Sequence, residues 1–343
     1  MHPKKYTLQD IAKLAQVSRG TVDRVVNKRG KVSAKAKKRV EDVLKELDYK
    51  PNLIARSLKR HKDLVIAVVI PHPNPQDIYW NQCAQGIEEA GKKLDQFGII
   101  LKYFHYHKSK ESFATMLELA LELNPNAVLM APIHYEELKP LFSSTEMKGI
   151  PIGLINTPIE ELNYMTFVGQ DYYKSGRLAA QLMDNLVEPF PKCKILIAHL
   201  GIDTDHAIHL KDKEKGFKAY FKEHNAKVEI DTVSFASDNL AEDLPNQLED
   251  FIGIYVTTSK AHLLSTHLNK HPKMKVIGYD LVPKNIAQLQ TGNIHILLNQ
   301  NPKLQGDACI NTLSEHLLYN TEVARKRLFP IDIVLTENLE SYI

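Results

Sequence analysis

The chain has 343 residues, 43% hydrophobic and 25% charged, an ordinary composition for a soluble globular protein. That length exceeds one small domain and predicts two or three compact units. No segment approaches the ~20 continuous apolar residues of a membrane span, and three widely spaced cysteines, Cys83, Cys193 and Cys309, argue for reduced thiols rather than a disulfide framework. The first residues, Met1-His2-Pro3-Lys4-Lys5, show no apolar run resembling a signal peptide, so a cytoplasmic protein is expected. The net charge of +3 hides an asymmetry: residues 1–62 hold 18 Lys+Arg against 6 Asp+Glu, and the remainder 26 against 35. A basic head on an acidic body suits a DNA anchor joined to a metabolite sensor.

Taken in order, the head begins with a helix. Thr7 can cap it, with Asp10 three residues on as a weak capping box. Leu8, Ile11, Ala12 and Ala15 share one helical face. Ser18 then caps a second helix with Val22, Val25 and Val26 inward, and Ser33 a third, packed through Ala36, Val40, Val43, Leu44 and Leu47. Only Ala15, Gln16 and Val17 separate the first two periodic runs. Two short helices on so tight a turn suit a reader whose second helix enters the major groove.

Several ordered pieces of this head resemble the lactose/galactose-repressor (LacI/GalR) family of bacterial transcription regulators. They are Asp10-Ile11-Ala12, Val17-Ser18, Thr21-Val22, Arg24-Val25-Val26-Asn27, Val32-Ser33, Tyr49-Lys50-Pro51-Asn52 and Ile54-Ala55-Arg56-Ser57-Leu58. The resemblance implies that Arg19, Gly20 and Arg24 occupy base-reading positions. It implies that Gln9, Ser18, Thr21, Asn27, Lys31 and Ser33 position the phosphate backbone. Asn52 to Lys59 would form a hinge helix in the minor groove, with Leu58 wedged between base steps. With Thr7, Asp23, Ala55 and Arg56, these make up the expected DNA-binding set. Three residues depart from the family pattern. Gln16 stands where the turn usually has Gly. Gly20 offers no side chain, so base readout rests on Arg19 and Arg24. Asp23 brings a carboxylate that, facing DNA, must pair with Arg19, Arg24 or Lys28 or contact a cytosine amino group.

After Asp63 the pattern changes to α/β. Leu64–Ile70 reads LVIAVVI, a buried strand without alternation. A helix near Ile78–Gln96 and a strand Ile99–His105 follow, then a helix near Lys110–Leu123, strand Ala127–Met130, a helix near Tyr135–Met147 and strand Ile152–Ile155. A second alternating set is expected from Thr166–Val168. It runs through a helix near Tyr172–Leu186, strand Ile195–His199, a helix ending in Lys215–Phe221, and strands Val228–Phe235 and Ile254–Thr257. A helix near Ala261–Asn269, strands Val276–Tyr279 and Ile294–Leu298, a helix near Lys303–Tyr319 and a last strand Ile331–Leu335 complete it. Such alternation implies right-handed βαβ units on parallel sheets, with ligands beyond the strands' carboxyl ends.

This body is similar to the family's effector domain, and through it to type I periplasmic sugar-binding proteins. The matching pieces are Gln85–Ala90, Val168-Gly169-Gln170-Asp171 with Gly176, Lys215-Gly216-Phe217, Val276–Asp280, and Asn299-Gln300 with Gly306. The implied architecture is an N-terminal all-α helix-turn-helix domain (1–50), a hinge helix and linker (51–62), and an α/β two-lobed doubly wound, type I periplasmic-binding-protein-like domain (63–343). The chain would cross between lobes near Asn156–Thr166, Leu298–Asn301 and Asn320–Pro330. Carried over by position, the ligand-binding set is Tyr79, Trp80, Asn156, Asp171, His209, Lys213, Thr258, Asp280 and Gln300. Trp80 either stacks on a sugar face or fills the core. Lys213 stands where the family usually has Arg, and Thr258 where an amide or acid is common. These groups suit a polyhydroxylated molecule; a sugar, a sugar acid and a sugar phosphate all remain open.

Other chemistry finds little support. His105 and His107 share a strand face, and His206 and His209 lie three apart. Metal ligation needs three or four convergent groups, so these read as surface histidines and no metal or other cofactor is expected. There is no GxSxG, P-loop or GxGxxG, and the carboxylate pairs Glu88-Glu89 and Glu160-Glu161 diverge, so no enzyme is expected. The expected protein is a ligand-controlled transcription regulator, a repressor binding a pseudo-palindromic operator as a homodimer. A secreted sugar-binding protein of a transport system is the alternative. An enzyme on the same scaffold is a third class.

Overall fold

The computed structural model describes residues 6–26, 30–47, 49, 63–74, 77–107, 109–133, 142, 149–187, 194–200, 208–224, 227–235, 248–264 and 273–343. The head holds α1 (Leu8–Leu14), α2 (Arg19–Val26) and α3 (Ala34–Glu46). Ile11, Ala12, Ala15, Val22 and Val40 form its core. The Thr7–Asp10 capping box is complete: the Thr7 backbone N donates to Asp10 Oδ2 (2.9 Å), and the Asp10 N to Thr7 Oγ1 (3.3 Å). Gln16 takes the left-handed conformation (φ 52°) that the family's glycine would supply. The Val17 N–H reaches the Ala12 carbonyl (3.0 Å) and the Gln16 N–H that of Lys13 (3.3 Å), a Schellman closure held by a side-chain-bearing residue. Left-handed geometry costs an L-residue about 1–2 kcal/mol.

In the body, β1 (Leu64–Pro71), α4 (Ile78–Leu94), β2 (Ile99–Tyr106), α5 (Lys110–Glu122), β3 (Ala127–Met130), β4 (Ile152–Ile155) and β5 (Thr166–Gly169) come first. Next are α6 (Tyr172–Val187), β6 (Lys194–Leu200), α7 (Ile208–His224), β7 (Glu229–Phe235), β8 (Gly253–Val256) and β9 (Lys275–Tyr279). The chain ends with α8 (Pro283–Gln290), β10 (Ile296–Asn299), α9 (Pro302–Tyr319), β11 (Lys326–Leu328) and β12 (Asp332–Val334). Two six-stranded sheets result, ordered β11-β5-β4-β3-β1-β2 and β12-β10-β9-β8-β6-β7. The pairings are parallel except β10 with β12. The first strand shows why alternation is absent. Ile66, Val68 and Ile70 face the core under α4 and α9, while Ala67 and Val69 face the core under α5, and all five are fully buried. A face polar enough for solvent would forfeit about 1.5–3 kcal/mol per side chain.

The two lobes share a helix-crossing device. A Cβ on Gly86 (α4) would overlap the carbonyl oxygen of Lys303 (α9), and one on Gly306 that of Cys83. In the other lobe a Cβ on Gly176 (α6) would overlap the Lys213 carbonyl (α7), and one on Gly216 that of Tyr173. In each pair, each glycine meets the carbonyl three residues before the other, so the backbones touch.

The topology corrects the expected crossings. β4 and β5 are neighbours in the first sheet, so the chain does not cross at Asn156–Thr166, and Thr166–Gly169 does not open the second lobe. The first crossing is Gln170-Asp171, since α6 packs on the second sheet. The second lies at Gln300-Asn301 as expected. The third narrows to Phe329–Ile331, between β11 and β12. β11 and α8 had no counterpart in the sequence reading, and Ala261–Leu264 is a 3-10 turn. The hinge segment 51–62, the helix near Tyr135–Met147 (apart from Phe142), Cys193 and His206 lie outside the described residues. Cys83 and Cys309 are buried free thiols.

The backbone contact at the crossings predicts that Gly216→Ala destabilises the protein by about 3 kcal/mol, the upper end of overpacking costs. Chemical denaturation measures it; a loss comparable to that of a surface Gly→Ala change would contradict the crossing.

Candidate functional site

The head presents a polar, uncovered face. Thr7, Gln9, Ser18, Arg19, Gly20, Arg24, Lys31 and Ser33 are exposed, and Thr21 and Asp23 half-buried. Ser18 Oγ accepts from the Thr21 N–H (3.1 Å) and lies 2.9 Å from Thr21 Oγ1, so both hydroxyls help start α2. Gln9, Lys13, Gln16, Ser18 and Arg19 line one open concavity. Arg24 lies along Gly30, with its Cδ 3.5 Å from where a Cβ would stand. Asp23 is engaged within the fold rather than a free carboxylate. Asn27, Asn52, Ala55, Arg56 and Leu58 lie outside the described residues.

In the body, five of the nine expected ligand residues fall into one buried polar cluster where the sheets meet. Tyr79 sits in the first turn of α4, where its hydroxyl accepts from Asn156 Nδ2 (2.8 Å) and faces Gln305 Oε1 (3.5 Å). Asn156 follows β4 in a left-handed conformation (φ 67°). Its carbonyl accepts from the Tyr172 hydroxyl across the lobes (2.6 Å). Asp280 follows β9, also left-handed (φ 65°), and its two oxygens accept from Gln300 Nε2 at 3.1 and 2.9 Å. Asn285 pins that strand end by donating to the carbonyls of Tyr279 (2.8 Å) and Asp280 (3.3 Å).

Lys213 is the chemical centre. The Gly176–Gly216 crossing brings α7 close enough that the Lys213 side chain is 1% exposed. Its Nζ donates to the Thr257 carbonyl (2.9 Å) and lies 3.5 Å from the centre of the Tyr279 ring and 5.5 Å from that of Tyr172. Burial pushes the Lys213 ammonium down to about 7, opposed by the Asp280 carboxylate. Burial pushes Asp280 up to about 6, opposed by Lys213 and the Gln300 hydrogen bonds, with Asp77 adding to the rise. Beneath Lys213, His199 Nδ1 meets Thr257 Oγ1 (2.7 Å) and His199 Nε2 meets Glu214 Oε2 (3.1 Å). The His199 and Lys218 contacts hold Glu214 down to about 2. Thr257 Oγ1 also donates to the Ala198 carbonyl (3.4 Å) and the Thr257 carbonyl holds Lys213, so this trio braces Lys213.

The other four residues stand apart. Trp80 shares the buried stripe of α4 with Cys83, Ile87, Ala90 and Leu94 and packs in the core of the first lobe. Asp171 caps α6 by accepting from the Lys174 N–H (2.9 Å). Thr258 Oγ1 is spent on the Leu200 carbonyl (3.1 Å). His209 rests against the Tyr172 ring (5.7 Å between centres) at the cluster's edge. Sequence reasoning missed Tyr172, Gln305, Asn285 and Gln170. Gln170 Nε2 donates to the carbonyls of Pro330 (2.9 Å) and Asn299 (3.4 Å), joining all three crossings. The tetrapeptide Val168-Gly169-Gln170-Asp171 was the available signal for it. Among the described residues, no group of three or more His, Cys, Asp or Glu could hold a metal ion, and no helix is long and apolar enough to cross a membrane.

Comparison with known proteins agrees with both parts. The sequence model for bacterial regulatory proteins of the lacI family matches residues 7–52, and that for a periplasmic binding protein domain matches residues 66–321. Catabolite control protein A of Staphylococcus aureus is 32% identical over 148 residues, 43% of this chain and 44% of that protein, so the chain spans less than half of that relative's length. The protein of the same name from Priestia megaterium is 27% identical over 289 residues, 80% of this chain and 82% of the relative. A crystal structure described as a candidate LacI transcriptional regulator from Bacteroides fragilis superposes with a TM-score of 0.74 at 27% identity, over 82% of this chain and all of that one. A carbohydrate transporter solute binding protein from Agrobacterium radiobacter, solved with D-arabinose, gives 0.71 at 20% identity, over 82% and 97%, and shows the shared fold alone. The body of the chain belongs to the periplasmic binding protein domain family, and its head is a DNA-binding domain of the type found in bacterial regulatory proteins of the lacI family.

Proposed function

We propose that the protein is a sequence-specific DNA-binding transcription regulator, a repressor acting as a homodimer. Its effector is a small polyhydroxylated ligand held between the two sheets. One observation carries the reading: the same chain joins a helix-turn-helix with uncovered Arg19 and Arg24 to a buried polar cluster at the crossings of two doubly wound lobes. Arg19 and Arg24 read base edges, and the Gln9, Ser18, Thr21, Lys31 and Ser33 groups engage phosphates. One head covers one half-site, and two-fold symmetry matches a pseudo-palindrome. A segment as short as 52–59 is not stable as an isolated helix. Lobe geometry and DNA together therefore decide whether the hinge helices form.

In the body, Tyr79, Asn156, Asp280, Gln300 and Lys213 offer donors and acceptors to hydroxyls, and the Tyr172 ring offers an apolar edge. The ligand shifts the equilibrium only as far as it distinguishes two lobe arrangements. A transport-system binding protein would use the same body. The basic, base-reading head has no role in that setting, which is why the regulator reading stands first.

Selection from random duplex DNA with the whole chain is expected to recover a pseudo-palindrome. On it, Arg19→Ala and Arg24→Ala should each cost about 1–3 kcal/mol and relax one position. Leu58→Ala should weaken binding while leaving the ligand site intact. Unchanged affinities at matched salt would contradict the assignment.

The buried pair predicts a pH signature. The unfolded lysine titrates at ~10.4, whereas burial pushes Lys213 in the fold down to about 7. Between these values the unfolded chain binds more protons, so stability rises with pH. Asp280, raised to about 6, imposes its cost above that pH and releases it as pH falls toward the unfolded value. Replacing both, Lys213→Met with Asp280→Asn, should remove this part of the pH profile. It should also raise stability at neutral pH by about 1 kcal/mol or more, because two charges no longer have to be desolvated on folding. Denaturation of both proteins across pH measures the difference; parallel profiles would contradict it.

A further inference from the structure

The polar cluster is charge-balanced from within. Among the described residues, Lys213 and Asp280 are the only buried Lys, Arg, Asp or Glu side chains. Each lies in the other's field, and Asp77 adds a second carboxylate that acts on Asp280. Lys213 makes one hydrogen bond, to the Thr257 carbonyl, which leaves two of its three N–H donors for a ligand. Gln300 Oε1 is buried with no hydrogen-bond partner, although its Nε2 is held by Asp280. The unspent groups of the cluster are therefore donors on Lys213 and an acceptor on Gln300. A hydroxyl, which both donates and accepts, satisfies that pairing.

A carboxylate or phosphate meets the pairing badly. In using the Lys213 donors it enters a cluster that already holds the buried Asp280 carboxylate, and like charges at close range in a low-dielectric site are costly. It has no proton for Gln300 Oε1.

We infer that the site selects an uncharged polyhydroxylated effector over the uronic acid or phosphate ester of the same sugar, because its one buried cation shares the cluster with a buried carboxylate, Asp280, and with an unpartnered acceptor, Gln300 Oε1. The inference rests on the reading of this cluster as the effector site and narrows its ligand class. Isothermal titration of the whole chain with matched sets tests it. The sets are D-glucose, D-glucuronate and D-glucose 6-phosphate; D-galactose, D-galacturonate and D-galactose 6-phosphate; and D-arabinose with D-arabinose 5-phosphate. In any set that binds, the neutral member is expected to bind at least about tenfold tighter than its anionic counterparts. An acid or phosphate that binds tighter than its parent sugar overturns the inference and leaves the effector site standing. No binding by any member overturns the polyol reading and the inference with it. Asp280→Asn, checked for folding by circular dichroism, is expected to narrow the neutral-to-anionic ratio by about tenfold. An unchanged ratio in the folded variant overturns the charge argument itself.

Discussion

The body depends on two backbone contacts made possible by missing side chains. At each crossing, α4 with α9 and α6 with α7, a glycine on either helix rests on the carbonyl three residues before its counterpart. No residue with a Cβ could stand at these positions without moving a helix. The repetition of one device in both lobes reflects their common architecture. At the α6–α7 crossing the opposed carbonyl belongs to Lys213, so the contact that locks the helices also fixes where the lysine side chain begins. The stem then runs into the sheet's carboxyl end, over the Tyr279 ring and toward Thr257.

That placement is costly. A buried ammonium loses its hydration, and here it regains one carbonyl, an aromatic face and the field of Asp280. Asp280 in turn stands in left-handed geometry, held there by Asn285 and Gln300. Asn156 and Asn301 adopt the same backbone conformation at two other strand ends of the junction. Such concentrated strain and unspent polarity match a site kept for binding rather than for stability. Gln170 ties the three crossings into one knot, so a ligand that changes the geometry at Asn156, Asp280 or Gln300 acts on residues bonded to, or next to, the segments that join the lobes.

Much of this was legible in the sequence. The head was legible because caps, turn and periodicity are local: Thr7, Ser18 and Ser33 cap as read, and the turn at Gln16 needs the glycine-like geometry that its position implied. Asn156, Asp280 and Gln300 were legible because each follows a buried apolar run, and Lys213 because of its spacing from Gly216. The misses were nonlocal. Thr166–Gly169 reads identically whichever sheet it joins, so the first crossing was misplaced. β11, Lys326–Leu328, is a fully exposed edge with no apolar run to mark it. Tyr172 and Gln305 enter the cluster only through the lobe arrangement, which no local pattern encodes. Trp80 was ambiguous as an aromatic near a strand end, yet its helical spacing with Cys83 and Ile87 already placed it on the buried stripe.

The account's central claim is that the polar cluster and the DNA-reading head are energetically linked. The most direct test is the affinity of the whole chain for its selected operator, at fixed salt, with and without saturating neutral sugars such as D-glucose, D-galactose and D-arabinose. The account predicts that at least one shifts the operator Kd by about fivefold or more. By linkage the operator shifts that sugar's affinity by the same factor. A sugar that binds the cluster while leaving operator affinity unchanged would contradict the claim.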